Sequence, residues 1–401
     1  MQSCTNSDYL YRKGKSLYNK KKYSQAFELY QKAAKAGNIL AISEIGWMYE
    51  KGEGVSRDFP LAMEYYKKAA DGGNASAMTN IGWMYDKGEG VEEDNQKAIE
   101  WYKKGIGAGN VDAIYNLAWM YENGEGVSVD YHKAMEIYQQ AAQAGSAGAM
   151  NNVGWMYENG EGVRVDYHKA MEWYSKAARR GTSNAIFNIG YMYEKGEGVN
   201  VDYHKAMQMY LKAYEDSNAR AMNNIGWLYQ KGMGVNTDGQ TAIEWYKKSA
   251  SAGYDVALYN LGWIYHHGEG VNVDYSKAME WYQKAAAAKN NKALNNIAWM
   301  YEKGEGVIID YQKAMEWYQK AATLDCSDAM NNLGWMYQNG EGVKTDFQQA
   351  LDWYQKAAHA GSVDGMNNLA SMYEKGKGVK KDMKKAAEWY KKANETKSPM
   401  K

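Results

Sequence analysis

The sequence predicts an all-α solenoid of stacked helix–loop–helix repeats. Three observations carry that expectation: a tryptophan that returns every 36 residues, a Gly-x-Gly pair in fixed register behind it, and an aspartate behind each pair. Trp47, Trp83, Trp119, Trp155, Trp227, Trp263, Trp299 and Trp335 stand on one grid, with Tyr191 and Ser371 in its two remaining places. The glycines keep step from Gly52 and Gly54 to Gly376 and Gly378, and the aspartates from Asp58 to Asp382, without an insertion. A unit this short cannot bury its own apolar face, so neighbours must stack into a continuous core.

Taken in order, residues 1–38 read as an N-terminal capping helical pair, because DYLYRKGKSLYNKKKYSQAFELYQKAAKAG has two helical stretches and no Gly-x-Gly loop. Residues 39–362 hold nine repeats. Residues 363–401 form a final repeat with a short tail, which makes ten units over about residues 39–398. That last unit carries Lys375, Lys377, Lys380, Lys381, Lys384 and Lys385 without interleaved aromatics, so it reads as a solubilising basic cap rather than a nucleic-acid surface.

Within a unit, the first helix is the AMNNVGWMYENG type, ended by a glycine suited to a left-handed C-terminus. The second opens at the aspartate, whose carboxylate can accept from the amides of the first turn. Pro60 falls in such a first turn, where proline is tolerated. A 100° helical step places Ala149, Met150, Val153, Gly154, Met156 and Tyr157 on one arc. Trp155 falls in the middle of the other arc, among Asn151, Asn152, Glu158 and Asn159. On the second helix, Trp173 shares its arc with Ala170, Met171, Tyr174 and Ala177, so the Trp101, Trp173, Trp245 series is expected in the core.

Composition narrows the partners. The 401 residues are 45% hydrophobic and 24% charged, and 48 basic residues balance 48 acidic ones, which gives no overall pull toward nucleic acid or anionic membrane. Two cysteines, Cys4 and Cys326, supply no disulfide framework. No run of about 18 apolar residues is present, so no membrane span is expected. A cytoplasmic location is the expectation. MQSCTNS keeps a periplasmic or lipid-anchored alternative, since a cysteine before small polar residues also begins such proteins once a leader is removed.

The unit A-x-N-x-G-W-M-Y-E-x-G-E-G-V-x-x-D-Y-x-K-A-M-E-W-Y-x-K-A-A-x-x-G resembles the Sel1-like repeat, a relative of the tetratricopeptide repeat with a longer loop between its helices. The resemblance covers about nine-tenths of the chain. It implies a right-handed α-solenoid whose first helices line the concave side, and an adaptor or scaffold role. Some secreted members have a disulfide in each repeat, and some are linked to β-lactam binding; this chain lacks their paired cysteines.

No catalytic, metal or cofactor site is expected. Ser398 to Lys401 is the only Ser-x-x-Lys and lies in the tail, and no Gly-x-Ser-x-Gly occurs. His132, His168 and His204 are in register, but the same position elsewhere holds proline, glutamine, serine or lysine. His266 and His267, with Cys326 distant, fall short of a zinc set. The Gly-Glu-Gly loop lacks the Gly-Lys-Ser/Thr of a phosphate cradle, and turn chemistry accounts for its glycines.

Binding is better supported. An asparagine recurs on the exposed arc of every first helix from Asn80 to Asn368, and either ties repeats together or meets a ligand. The position before it varies through Thr79, Tyr115, Asn151, Phe187, Asn223 and Tyr259, so it is expected to face solvent or ligand. The candidate surface for an extended peptide or protein partner is Tyr115, Asn152, Trp155, Glu158, Phe187, Asn188, Glu194, Asn224, Trp227, Tyr259, Asn260 and Trp263. The asparagines would clamp the ligand backbone and the aromatic residues would supply selectivity. A hot spot is expected in units four to seven, where Tyr191, Met233, Gly239 and His266 break the pattern. Two functions follow: a non-catalytic scaffold or adaptor that holds a peptide segment or protein in the groove, or a regulator or inhibitor that wraps one folded partner.

Overall fold

The computed structural model describes residues 6–397, so Cys4 and the Ser398–Lys401 motif lie outside the described residues. Among the described residues there are 22 helices and no strand. They fall into two compact units, Met1–Val201 and Asp202–Lys401. Each unit is a succession of helices that alternate as helix A and helix B of a repeat, and within a unit each helix packs on its neighbours in sequence.

The A helix Ala147–Asn159 and the B helix Tyr167–Ala178 show why these residues fold this way. Ser146 caps the first through the Ala149 amide, and Asp166 caps the second by accepting from Lys169 N at 3.0 Å. The cap is repeated from Asp58 to Asp382. Pro60 stands in the first turn of its B helix. The Asp166 amide also closes the loop by bonding Tyr157 O at 2.9 Å.

Two glycines make that loop possible for different reasons. Gly160 ends helix A with φ 76°, a left-handed conformation that suits glycine. Gly162, at φ 67°, lies so close to the preceding repeat that an added Cβ would stand 2.4 Å from Tyr131 O. The loop of one repeat therefore rests on the start of the B helix before it, and the second glycine is a stacking residue.

The core differs from the expectation on one point. Trp173 and its equivalents are half-buried, not core residues. The fully buried series is the tyrosine one position on: Tyr30, Tyr66, Tyr102, Tyr138, Tyr174, Tyr210, Tyr246, Tyr282, Tyr318 and Tyr354 all have 0% exposure. The physical reason is the lysine three residues beyond each tryptophan. Lys176 Nζ lies 4.0 Å from the centre of the Trp173 ring, and Lys104, Lys284 and Lys356 cover Trp101, Trp281 and Trp353 in the same way. The indole keeps a wet face that a cation satisfies. The tyrosine ring fits where helix A has no side chain, since a Cβ on Gly154 would sit 2.7 Å from the Tyr174 ring.

Tyr174→Ala is expected to destabilise by about 3–5 kcal/mol, as deletion of a buried aromatic does, and Trp173→Ala by clearly less, in denaturant unfolding followed by circular dichroism. Asp166→Ala is expected to quicken hydrogen exchange in Tyr167–Ala178 and its packed neighbours but not in distant repeats. The Asp166 carboxyl is held below its usual range by the Lys169 amide first and then by its ammonium. Its contribution to stability is therefore present above the ordinary aspartate pKa and is lost as pH falls through the lowered value.

Candidate functional site

The A-helix tryptophans lie on the exposed arc, as the helical wheel indicates. Trp155, Trp299 and Trp335 are 37%, 40% and 44% exposed, and Trp47, Trp83, Trp119, Trp227 and Trp263 are half-buried. Successive tryptophans wall a recurrent cavity. In the first unit one of about 320 Å³ is lined by Trp47, Glu50, Lys51, Asn80, Trp83 and Asn116. In the second, Trp299, Glu302, Lys303, Asn332, Trp335 and Asn368 line one of about 380 Å³, and these are the same repeat positions. A third, of about 260 Å³, lies among Trp227, Gln230, Lys231, Tyr259, Asn260 and Trp263.

The floor of the cavity is built by the core tyrosine. Tyr66 OH donates to Glu50 Oε2 at 2.7 Å, Tyr138 to Glu122 at 2.5 Å and Tyr318 to Glu302 at 2.7 Å; Tyr174 makes the same bond to Glu158. Glu50 and Glu302 are 3% and 5% exposed, so these carboxylates are buried against the tyrosine. The other oxygen takes a lysine. Lys51 Nζ is 2.5 Å from Glu50 Oε1 and 4.5 and 5.1 Å from the Trp47 and Trp83 ring centres, and Lys303 pairs with Glu302 beneath Trp299. Burial raises the pKa of Tyr66, Tyr138 and Tyr318, with the facing carboxylate the second cause at each.

A second acid reaches the same place from the loop of the following repeat. Gln230 Nε2 bonds Glu269 at 2.6 Å, and His266 Nε2 meets Glu305 at 2.7 Å while its Nδ1 faces Tyr282 OH at 3.3 Å. His266 thus fills the helix carboxylate's position, and His267 stacks on Trp263 at 3.7 Å. The Gly-Glu-Gly glutamate, read from sequence as part of a turn, is also a groove residue. The two signals that could have found it are its recurrence 39 residues behind the helix acid and the charge changes at both positions.

The amide ladder runs from repeat to repeat. Asn188 Nδ2 donates to Asn151 Oδ1 at 3.1 Å, Asn260 to Asn223 at 2.8 Å, Asn332 to Asn295 at 3.2 Å and Asn368 to Asn331 at 2.9 Å. Asn152 instead donates to Tyr115 OH at 3.4 Å, and Asn224 and Asn296 to Tyr210 and Tyr282 OH at 3.0 Å. The variation at the preceding position therefore accompanies a change of partner for these asparagines. It does not mark a solvent-facing site, which corrects the expectation there: Phe187, Asn223 and Thr79 are 3%, 7% and 5% exposed. Tyr115 and Tyr259 are half-buried, with Tyr259 against Trp263 and Tyr282 at 6.1 and 5.9 Å between ring centres. Glu194 is 6% exposed and paired with Lys195 at 2.8 Å, so it is buried in the same way as Glu50 and Glu302.

Of the expected surface residues, Asn152, Trp155, Glu158 and Asn188 stand in the first unit, and Asn224, Trp227, Tyr259, Asn260 and Trp263 in the second. His132, His168 and His204 are exposed on B helices, away from this arc. Among the described residues no three His, Cys, Asp or Glu side chains are grouped to hold a metal, and no helix is long and apolar enough to cross a membrane.

Paired helices, glycine loops and a tryptophan-walled arc define a helical-repeat protein of the solenoid class. The chain belongs to the Sel1 repeat family: the Sel1 repeat model matches eleven stretches, at 7–38, 39–74 and onward in register to 363–395. The match at 7–38 shows that the helical pair without a Gly-x-Gly loop is itself related to the repeat. The chain is similar, at 30% identity and a TM-score of 0.58, to a protective antigen of uropathogenic Escherichia coli strains displaying a Sel1-like fold, over 98% of this chain and 90% of that one. It is also similar to a Sel1 repeat protein from Oxalobacter formigenes, at 30% identity and a TM-score of 0.52, over 61% of this chain and 96% of the other. Among curated proteins none matches the chain. Sel1 repeat proteins generally mediate protein–protein interaction, and the fold is generally a non-catalytic scaffold.

Burial raises the Glu122 carboxyl above the ordinary glutamate range, and the Tyr138 hydroxyl opposes that rise. Tyr138→Phe is therefore expected to move the Glu122 titration further up in a carbon-detected NMR experiment. A raised carboxyl favours the fold below its unfolded pKa, and that contribution is lost as pH rises through the folded value. The cost of Tyr138→Phe should thus be small in acid and reach about 1–3 kcal/mol at neutral pH, where a buried acceptor has lost its donor.

Proposed function

We propose that this protein is a non-catalytic interaction scaffold that holds an extended protein segment along the exposed arc of its A helices. The observation that carries this reading is the recurrence of one cavity, built from the same repeat positions, at Trp47–Asn116 and Trp299–Asn368. A cavity needed only for packing would be filled; these are open, walled by indoles and floored by a fixed charge. Stacked helices repeat about every 10 Å, and an extended chain advances at most about 3.3–3.6 Å per residue, so roughly three ligand residues pass each repeat. Every third side chain would then enter a cavity within a unit.

The asparagines take a smaller part than the sequence suggests, since one amide hydrogen of Asn188 or Asn260 is already committed to the preceding repeat. The indoles and the floor charge supply most of the recognition. Extended peptides selected from a random display library are expected to lose about 30-fold or more in affinity on a Trp47→Ala, Trp83→Ala or Trp299→Ala, Trp335→Ala double change, about 2 kcal/mol per central tryptophan being typical. Unchanged peptide binding by the folded double variants would remove the arc as the site. Selection of intact folded domains, with no peptide retained, would favour the reading in which the solenoid wraps one folded partner.

A further inference from the structure

The joints between successive A helices repeat the same positions but not the same charge. Where the helix acid is followed by lysine, the protein seats its own cation on that acid and against an aromatic ring. Lys51 lies over Trp47 and Trp83 on Glu50, Lys87 lies 4.5 Å over Trp119 and 3.1 and 3.9 Å from Asp86 and Glu125, and Lys303 lies over Trp299 on Glu302. Three joints thus show what an aromatic face beside a carboxylate holds here, and at Lys87 beside two of them: an ammonium group.

The joint between Trp119 and Trp155 has the acids without the cation. Asn123 stands in the lysine position, and its amide turns back to Trp119 O at 2.9 Å. Glu122 Oε2 is held by Tyr138, and Glu161 Oε2 is buried with no hydrogen-bond partner. Among the described residues no lysine or arginine acts on either glutamate, and no cation covers Trp155, which is 37% exposed. Burial, and then the Glu122 charge, raises the Glu161 carboxyl, so the two acids repel across the joint. At the following joint Glu197 Oε2 is also without a hydrogen-bond partner, but there the Lys195 charge acts on the carboxylate, whereas no cation acts on Glu161.

We propose that the Trp119–Glu122–Glu161–Trp155 joint is a seat for one lysine or arginine side chain of the bound segment, supplied by the partner where sister joints supply their own. This deepens the peptide-binding reading and rests on it. Both wall and floor select an organic cation: indole faces attract ammonium and guanidinium groups, while a calcium ion would need six to eight oxygen ligands and two carboxylates fall short. The joints that carry their own lysine keep an open cavity but no free seat for a cation, and so fix the register, because a basic side chain there would meet Lys51 or Lys87.

The test uses the full chain and three blocked peptides, acetyl-Gly-Ala-Xaa-Ala-Gly-amide with arginine, lysine or citrulline at Xaa, with calcium chloride as a separate arm. Binding is read from the indole N–H resonances of Trp119 and Trp155. Arginine and lysine peptides are expected to shift both signals at millimolar concentration, with citrulline weaker by on the order of tenfold for want of the charge. Asn123→Lys, which installs the sister joints' lysine, should abolish the shift while the circular dichroism is unchanged, and Glu122→Gln, Glu161→Gln should weaken it at least about tenfold. Equal binding of citrulline, persistence of binding in folded Asn123→Lys, or a response to calcium and not to the basic peptides would overturn the proposal. None of those results touches the library peptides lost on Trp47, Trp83, Trp299 and Trp335 substitution, so the two readings fail separately.

Discussion

The structure depends on a buried tyrosine hydroxyl that donates to a carboxylate in the last turn of the preceding helix. A carboxylate at 3% exposure, as at Glu50, is costly unless it is bonded and paired. The tyrosine supplies the bond and its ring supplies the core, and both need a small residue on helix A where the ring lands: Gly154 holds that place for Tyr174, and Ala118 and Ala298 stand there in the repeats of Tyr138 and Tyr318. One side chain therefore ties the apolar interior of a repeat to the charge on its exposed arc. Where Gln230 or His266 replaces the acid, the tyrosine still finds a partner in Tyr246 to Gln230 at 2.5 Å and in the Tyr282 contact, whereas Tyr354, in the repeat with Gln338, and Tyr30 keep buried hydroxyls without one, so the scaffold tolerates a change of charge and, at two places, loss of the bond.

That division makes the solenoid modular in the charge of its exposed arc as well as in stability. Each repeat interacts mainly with its neighbours, so the helix acid, the residue after it and the loop acid of the next repeat can vary together without disturbing the stack. Within the first unit the joints pass from Lys51 with Glu50, to Lys87 with Asp86 and Glu125, to Glu122 with Glu161 and no lysine. The second unit has its own pattern, with Lys231 and Glu269, His266 and Glu305, and Lys303 and Glu302. A ligand would read charge along a wall of nearly constant shape.

Much of this was legible in the sequence. The period, the caps at Asp166 and its equivalents, the left-handed glycine at Gly160 and the exposed setting of Trp155 all follow from spacing and helical geometry. What was not legible concerns which of two neighbouring apolar residues is central. Trp173 and Tyr174 share a broad apolar arc, and a wheel cannot show that Lys176 covers the indole. Phe187 was misjudged because variation was equated with exposure, whereas the structure accommodates it inside while asparagines such as Asn152 and Asn188 take different partners. Glu122 and Glu161 meet across a repeat boundary, and a reading of one unit at a time could not bring them together.

The claim that the tyrosine–carboxylate bond supports the charged floor is tested most directly by a double-mutant cycle at Tyr318 and Glu302 in the second unit, 2.7 Å apart. Tyr318→Phe removes the donor and Glu302→Met the acceptor at similar volume, with stability measured by denaturant unfolding at neutral pH. A coupling energy of about 1–3 kcal/mol is predicted, the range for directly bonded buried partners. Single changes that add to within about 0.3–0.5 kcal/mol, as independent sites do, would contradict the account.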